Sequence, residues 1–237
     1  MELNFLGRGS AFNVLEGSNS AYIIEGNSIL LIDCGETVYE RLNMYHLLDG
    51  IDHVYVLVTH THSDHIGSIG TLANYYFLTF NQKIHIVLDY HSKIKEDMKT
   101  LLRIFGLEEH MYYLETPDIL DNQFKAFKAV RYQEITHCPQ LISYAIRFDT
   151  ENGEIFYTGD TNDITVLKSL LNRIDEIDRI YVDTNTSSLP VHLNVDLLAN
   201  TVPEEHRKKI YCMHFNNEDC INKAKNYGFH IIKVSSQ

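Results

Sequence analysis

The chain has 237 residues, 44% of them hydrophobic, and carries a formal charge of −12. That length and apolar content give a globular chain with a substantial core and exclude a disordered one. The acidic balance speaks against long RNA or DNA as a partner, which calls for a basic face; Arg207-Lys208-Lys209 and the lysines of 93–99 read as solvated surface. No apolar run is long enough to cross a membrane. Met1 to Gly7 lacks the basic and apolar regions of a signal peptide, so the expectation is a cytoplasmic protein without a membrane partner. Four scattered cysteines, Cys34, Cys138, Cys212 and Cys220, form no C-x-x-C pair and are expected to be free and packed.

Glu2–Leu6 alternates and predicts a first strand, followed by a turn at Gly7-Arg8-Gly9-Ser10. Ala21–Glu25 and Ser28–Asp33 predict a hairpin about Gly26-Asn27. Thr37 is expected to cap a helix running to Leu48. Val54–Val58 has the pattern of a buried strand and runs into Thr59-His60-Thr61-His62-Ser63-Asp64-His65, after which Ile69–Leu78 reads as helical. Ile84–Leu88 predicts a strand, Lys93–Phe105 a helix closed by Gly106, and Met111–Leu114 a short extended piece. Phe124–Val130, continuing to Thr136, then Leu141–Phe148 and Glu154–Tyr157 about the Asn152-Gly153 turn, predict a second antiparallel block. Ile164–Ile174 is expected to be helical, Arg179–Val182 a strand ending at Asp183, and Val195–Asn200 a short helix. Lys209–Met213 is expected as a strand ending at His214, Glu218–Tyr227 as a helix, and Phe229–Val234 as the last strand. No repeat or linker divides the chain, so one domain over 1–237 is expected, with two mixed sheets packed together and helices on both outer faces. The longest irregular stretch, Asp183 to Asn194, is of the length that often carries function.

Metal-capable side chains recur at the carboxyl ends of these strands. His60 follows Val54–Val58, His137 follows the strand around Val130, Asp160 follows Ile155-Phe156-Tyr157, and His214 follows Ile210-Tyr211-Cys212. Strand ends gather at one sheet edge, so these residues can converge with His62, Asp64 and His65 on a metal site. Imidazole and carboxylate donors suit Zn²⁺, and Mn²⁺ or Fe²⁺ is compatible with the same set.

These residues also carry a family resemblance. His60-Thr-His62-Ser-Asp64-His65 matches the HxHxDH signature of the metallo-β-lactamase fold; Ile32-Asp33-Cys34-Gly35, Ile135-Thr136-His137, Tyr157-Thr158-Gly159-Asp160-Thr161 and Met213-His214 resemble its other motifs in order. Phe5-Leu6-Gly7-Arg8-Gly9-Ser10-Ala11 is similar to the opening of the ribonuclease Z branch. The resemblance implies an αββα four-layer sandwich and two zinc ions, with manganese as the alternative. His60, His62, His137 and Asp160 would hold one ion; Asp64, His65 and His214 would hold the other, with Asp160 bridging. Asp33 would accept a hydrogen bond from a ligand or a loop amide. Two such ions, roughly 3.5–4 Å apart, activate a hydroxide for attack on a phosphodiester. Asp64 would orient that nucleophile and take its proton, and His192, oriented by Asp183, would protonate the leaving oxygen.

Ribonuclease Z enzymes carry a tRNA-gripping arm between the third and fourth motifs. Here His137 and Asp160 are 23 positions apart, which leaves room for two strands and a turn only. What remains resembles the armless phage phosphodiesterases of anti-Pycsar defence evasion. That implies a small substrate, a 3′,5′-cyclic mononucleotide, a homodimer and action in the host cytoplasm. The alternatives on the same fold are an RNA endonuclease or a lactone or thioester hydrolase. A metal-binding protein without turnover is the alternative of another class. Met111-Tyr112-Tyr113 is a candidate surface for the base, although an amphipathic strand edge explains it better. Cys138 beside His137 reads as a packed thiol, and the Gly7–Ser10 loop lacks the lysine of a phosphate-binding loop. His46, His53, His85, His91, His110, His206 and His230 have no comparable context.

Overall fold

The structure is a computed structural model and describes residues 1–90, 92–121, 123–187 and 191–235. Two six-stranded sheets form its centre. In the first, β1 (Asn4–Gly7), β2 (Ser20–Glu25), β3 (Ser28–Ile32), β4 (His53–Leu57), β5 (His85–Val87) and β6 (Tyr113–Glu115) lie side by side in chain order. In the second, β7 (Ala129–Ile135), β8 (Ser143–Thr150), β9 (Gly153–Tyr157), β10 (Ile177–Asp183), β11 (Ile210–Met213) and β12 (His230–Ile231) do the same. Each sheet starts with three antiparallel strands and continues with three parallel ones. The chain therefore repeats a topology without repeating a sequence.

The layering follows from side-chain alternation along each strand. In β3, Ile29 and Leu31 pack outward with α1 (Val38–Met44), α3 (Ile69–Phe80) and α4 (Ser92–Ile104), while Leu30 and Ile32 enter the core between the sheets. In β10, Ile180 and Val182 pack with α5 (Ile164–Leu171), α6 (Val195–Thr201) and α7 (Glu218–Asn226), while Tyr181 points inward. Both faces of each central strand are covered, as parallel strands require, and the expected αββα sandwich results. Among the described residues, no helix is long and apolar enough to cross a membrane.

Several element ends differ from expectation, some for clear local reasons. Thr37 does not cap α1; its hydroxyl accepts the Ser18 amide instead (2.8 Å) and ties the N-terminal loop down. The helix ends at Met44 rather than Leu48, because His46 adopts a left-handed backbone with φ 55°. The strand expected from Phe124 begins only at Ala129. The Lys125 and Ala126 amides are held by the Glu25 carboxylate (2.8 Å each) and so leave the ladder. The last strand is confined to His230–Ile231; beyond it Val234 bridges to Phe5 and the Ser235 amide donates to the Phe5 carbonyl (2.8 Å), so the chain end stitches the second sheet to the edge of the first.

Away from the strand ends, one buried charge is heavily paired. Glu154, 7% exposed on β9, accepts bonds from Arg147 Nε (2.9 Å) and Arg173 Nη2 (2.6 Å). Burial raises its pKa, but the two guanidinium groups outweigh that and hold it below the usual 4.5. A depressed folded pKa gives stability that is present above the unfolded value and is lost as pH falls through the folded one. Glu154→Gln is expected to cost about 2 kcal/mol at neutral pH. Urea melts of both proteins should converge once the pH is well below 4.5.

Candidate metal centre

The functional side chains meet at the carboxyl edge of both sheets. β4 delivers His60 and His62, and the short α2 (Ser63–Ile66) turns Asp64 and His65 back toward them. β7 delivers His137, β9 Asp160, β10 Asp183, and β11 His214. Two glycines make the approach possible. A Cβ at Gly35 would lie 1.8 Å from the Asp64 carbonyl oxygen, and one at Gly159, where φ is +59°, would lie 2.7 Å from the Tyr144 carbonyl. Asp33 and His214 themselves adopt left-handed backbone (φ 64° and 59°), the kind of local strain that collects at functional positions.

Among the described residues, donor atoms fall into three overlapping sets, each within 4.8 Å of one another: His60, His62, His137 and Asp160; Asp64, His65, Asp160 and His214; and Asp160, Asp183, His192 and His214, of which the first two follow the family motifs. His62 Nδ1 is 3.0 Å from His60 Nε2 and 3.2 Å from His137 Nε2. His214 Nε2 is 3.3 Å from Asp64 Oδ2 and 3.4 Å from Asp160 Oδ2, and His65 Nε2 is 3.3 Å from Asp160 Oδ1. The outer ring nitrogens are fixed. His65 Nδ1 meets Asp33 Oδ2 (2.7 Å), and His137 Nδ1 meets the Val191 carbonyl (2.7 Å). The Thr59 hydroxyl donates to Asp33 (2.8 Å) while His60 Nδ1 lies 3.0 Å from it, so Asp33 and Thr59 together set the His60 tautomer. Each of these rings then turns its other nitrogen inward. His65 Nε2 and Asp160 Oδ1 are buried without a hydrogen-bond partner. Inward ring nitrogens, convergent carboxylates and orphaned buried atoms fit divalent cations in the two sets that follow the family motifs.

The electrostatics divide the centre. Burial pushes His60 and His62 below the usual imidazole range, with neighbouring histidines adding to the shift. Burial opposes charge on His65 and His214 as well, but Asp160 and the carboxylates around them win, raising His65 well above the usual value and His214 to about 10. Asp160 is the counterpart: burial resists its ionisation, and His214 and His65 hold it well below the carboxylate range.

His192 also reaches the centre. Its Nδ1 is 2.8 Å from Asp183 Oδ2 and 3.8 Å from Asp160 Oδ2. Asp183 further accepts the Thr161 amide (3.0 Å), so the pairing expected between Asp183 and His192 is present. Part of the loop carrying His192, residues 188–190, lies outside the described residues, as does His91.

Two secondary readings find their place here. Met111 and Tyr112 are buried, and Tyr113 pairs with His85 at the amino end of β5, away from the centre; its ring stacks on His85 (4.8 Å) beneath Lys83 Nζ (4.7 Å). Register, not aromatic content, decides which end of a strand faces the site. The Gly7–Ser10 loop does border the centre, since the Ser10 amide donates to the Phe215 carbonyl (3.0 Å), but Arg8 is taken by Glu16 (2.6 Å). Thr59 and the Val191 carbonyl are the fixing groups that sequence reasoning missed. Thr59 carried a signal, being wedged between a strand and His60; Val191 carried none.

Cys138 lies half-buried with Sγ 3.9 Å from His62 Nε2, whereas Cys34, Cys212 and Cys220 are buried. Burial pushes the Cys34 and Cys212 thiols up to about 12 and also raises Cys220. Titration of the native protein with an aromatic disulfide reagent is expected to modify one thiol rapidly, Cys138, and the other three only after denaturation. Rapid reaction of more than one would contradict this packing.

Comparison with known proteins agrees with the geometry. A protein of Bacillus phage 010DV004 described as anti-Pycsar protein Apyc1 is 28% identical over 94% of this chain and 93% of its own length. Among solved structures, the metallo-β-lactamase fold protein YhfI from Bacillus subtilis superposes with a TM-score of 0.70 at 18% identity, covering 99% of this chain and 95% of that one. The short form of human tRNase Z gives 0.66 at 17% identity, covering 100% and 97%. These two show the fold. The profile of the anti-Pycsar protein Apyc1 family matches residues 1–234, and the chain belongs to that family of metal-dependent phosphodiesterases that degrade cyclic nucleotides.

Proposed function

We propose that His60, His62, His137 and Asp160 hold one zinc ion and that Asp64, His65 and His214 hold a second, with Asp160 shared and manganese as the alternative metal. When bound, such a pair supplies Lewis acidity, activating water near neutral pH and offsetting phosphate charge. The chain's own groups do the rest. Asp64 Oδ2, held near His214 at the first turn of α2, orients the attacking water and accepts its proton. His192 has Nδ1 committed to Asp183, which leaves Nε2 to donate a proton to the departing O3′. Burial works against charge on His192, but Asp183 and Asp160 raise its pKa and favour the protonated donor.

The substrate is a 3′,5′-cyclic mononucleotide, and the observation that carries this is the interval between His137 and Asp160. Only the β8–β9 hairpin and its turns fill it, so nothing there projects to grip a long nucleic acid. The protein acts as a cytoplasmic homodimer, in the host if phage-encoded; light scattering should give twice the 27.4 kDa chain mass. The activity test is a panel of cyclic nucleotides, a pre-tRNA, a lactone and a thioester, each incubated with the zinc- or manganese-loaded protein. Linear 5′-monophosphates are expected from the cyclic nucleotides, with the others unchanged. Trimming of the pre-tRNA with inert cyclic nucleotides would transfer the protein to the nuclease reading.

A further inference from the structure

We propose that Tyr90 is the platform on which the nucleobase stacks, held in place by Asp118; this rests on the cyclic-nucleotide reading above. β4 and β5 are parallel neighbours, Leu57 pairs with Val87, and the Val58 amide donates to the Val87 carbonyl (3.1 Å). Three residues beyond that pair, the strands reach His60 and Tyr90. The β4 exit is held by the Tyr144 amide, which donates to the Thr59 carbonyl (3.0 Å), and the end of β5 by the Tyr132 hydroxyl, which donates to the Val87 carbonyl (2.8 Å). Tyr90 therefore leaves the sheet at the same carboxyl edge as the first ligand set, one strand over from His60, with its hydroxyl turned to Asp118 beyond β6. Its surface is 69% open to solvent.

The ring is held rather than loose. Tyr90 Oη donates to Asp118 Oδ1 (3.1 Å), and the Thr116 hydroxyl donates to the same oxygen. A side chain fixed before the ligand arrives loses less freedom on binding. Phe12 is also exposed near this edge, at 95%, but an aromatic hydrocarbon has no polar atom by which to be fixed. A cyclic mononucleotide with its phosphate on the metal centre has a base that must rest on something. Tyr90 offers a ring there, whereas Tyr113 stands at the other end of its strand.

The experiment compares the metal-loaded wild type with Tyr90→Ala, Tyr90→Phe and Phe12→Ala on 3′,5′-cyclic AMP and on the base-free methyl riboside 3′,5′-cyclic phosphate. Tyr90→Ala is expected to raise KM for cyclic AMP by about ten-fold or more, the size of a lost base–aromatic stack, with kcat nearly unchanged. Tyr90→Phe should raise it less, and Phe12→Ala not at all. KM for the base-free compound should not move. An unchanged KM for cyclic AMP in Tyr90→Ala, or an equal rise for both compounds, would overturn the platform. A second readout needs no turnover. The chain has no tryptophan, so Tyr90→Trp carries a sole reporter whose emission cyclic AMP should quench and the base-free compound should not. Quenching without hydrolysis by the wild type would keep the platform and remove the phosphodiesterase reading. Hydrolysis without quenching would do the reverse.

Discussion

Replacing Asp160 with alanine is expected to lower kcat/KM for a cyclic nucleotide by roughly ten-thousand-fold or more. Bound metal should fall from two ions per chain to one or none. No other single residue belongs to both of the donor sets that follow the family motifs. Its two oxygens face different partners, Oδ1 toward His65 and Oδ2 toward His214, His60 and His137. On the proposed assignment, truncation would take a ligand from each ion at once. It also leaves His65 and His214 without the carboxylate that opposes their burial, which is costly in a closed site. Metal analysis of the dialysed variant beside its steady-state rate decides the point. Retention of two ions with a moderate rate loss would show that Asp160 does not bridge.

His192→Ala separates proton donation from metal binding. With a 3′,5′-cyclic nucleotide, whose leaving group is a poor alkoxide, the loss in kcat is expected to be about a hundred- to ten-thousand-fold, the usual worth of a positioned acid. With a p-nitrophenyl phosphodiester, whose leaving group departs without a proton, the loss should be below about ten-fold on the same reasoning. Metal content should stay at the wild-type level, because His60, His62, His137, His65 and His214 keep their outer hydrogen-bonding and charge partners. Asp183→Asn is a poorer probe, since Asp183 also faces His214 Nδ1 (3.3 Å) and the change would disturb a proposed metal ligand. Equal losses on both substrates would assign His192 to phosphate binding instead of proton transfer.

Legibility in the sequence tracked how local each cause is. The His60–His65 cluster could be read directly because a strand followed by one helical turn brings those residues together without help from distant chain. Asp160 and His214 were readable because a buried strand pattern ends just before each, and parallel strand ends share an edge. What escaped depended on register or on competition between partners. Tyr90 and Tyr113 look alike as aromatic residues near short strands, yet pairing of β5 with β4 and β6 puts one at each end. Thr37 has the type and position of a cap, but Ser18, from a loop nineteen residues earlier, claims its hydroxyl. Glu25 drew the Lys125 and Ala126 amides out of a strand across a separation of a hundred residues, which no local pattern records. The topological repeat of the two sheets also leaves no mark in residue identity.

The most direct test is a crystal structure of zinc-loaded His192→Ala with a 3′,5′-cyclic nucleotide bound, a variant slow enough to hold its substrate. The expected result is two ions sharing Asp160, one on His60, His62 and His137 and one on Asp64, His65 and His214, with the cyclic phosphate lying across both. A single ion, or a nucleotide whose phosphate lies away from Asp160, would contradict the two-ion phosphodiesterase.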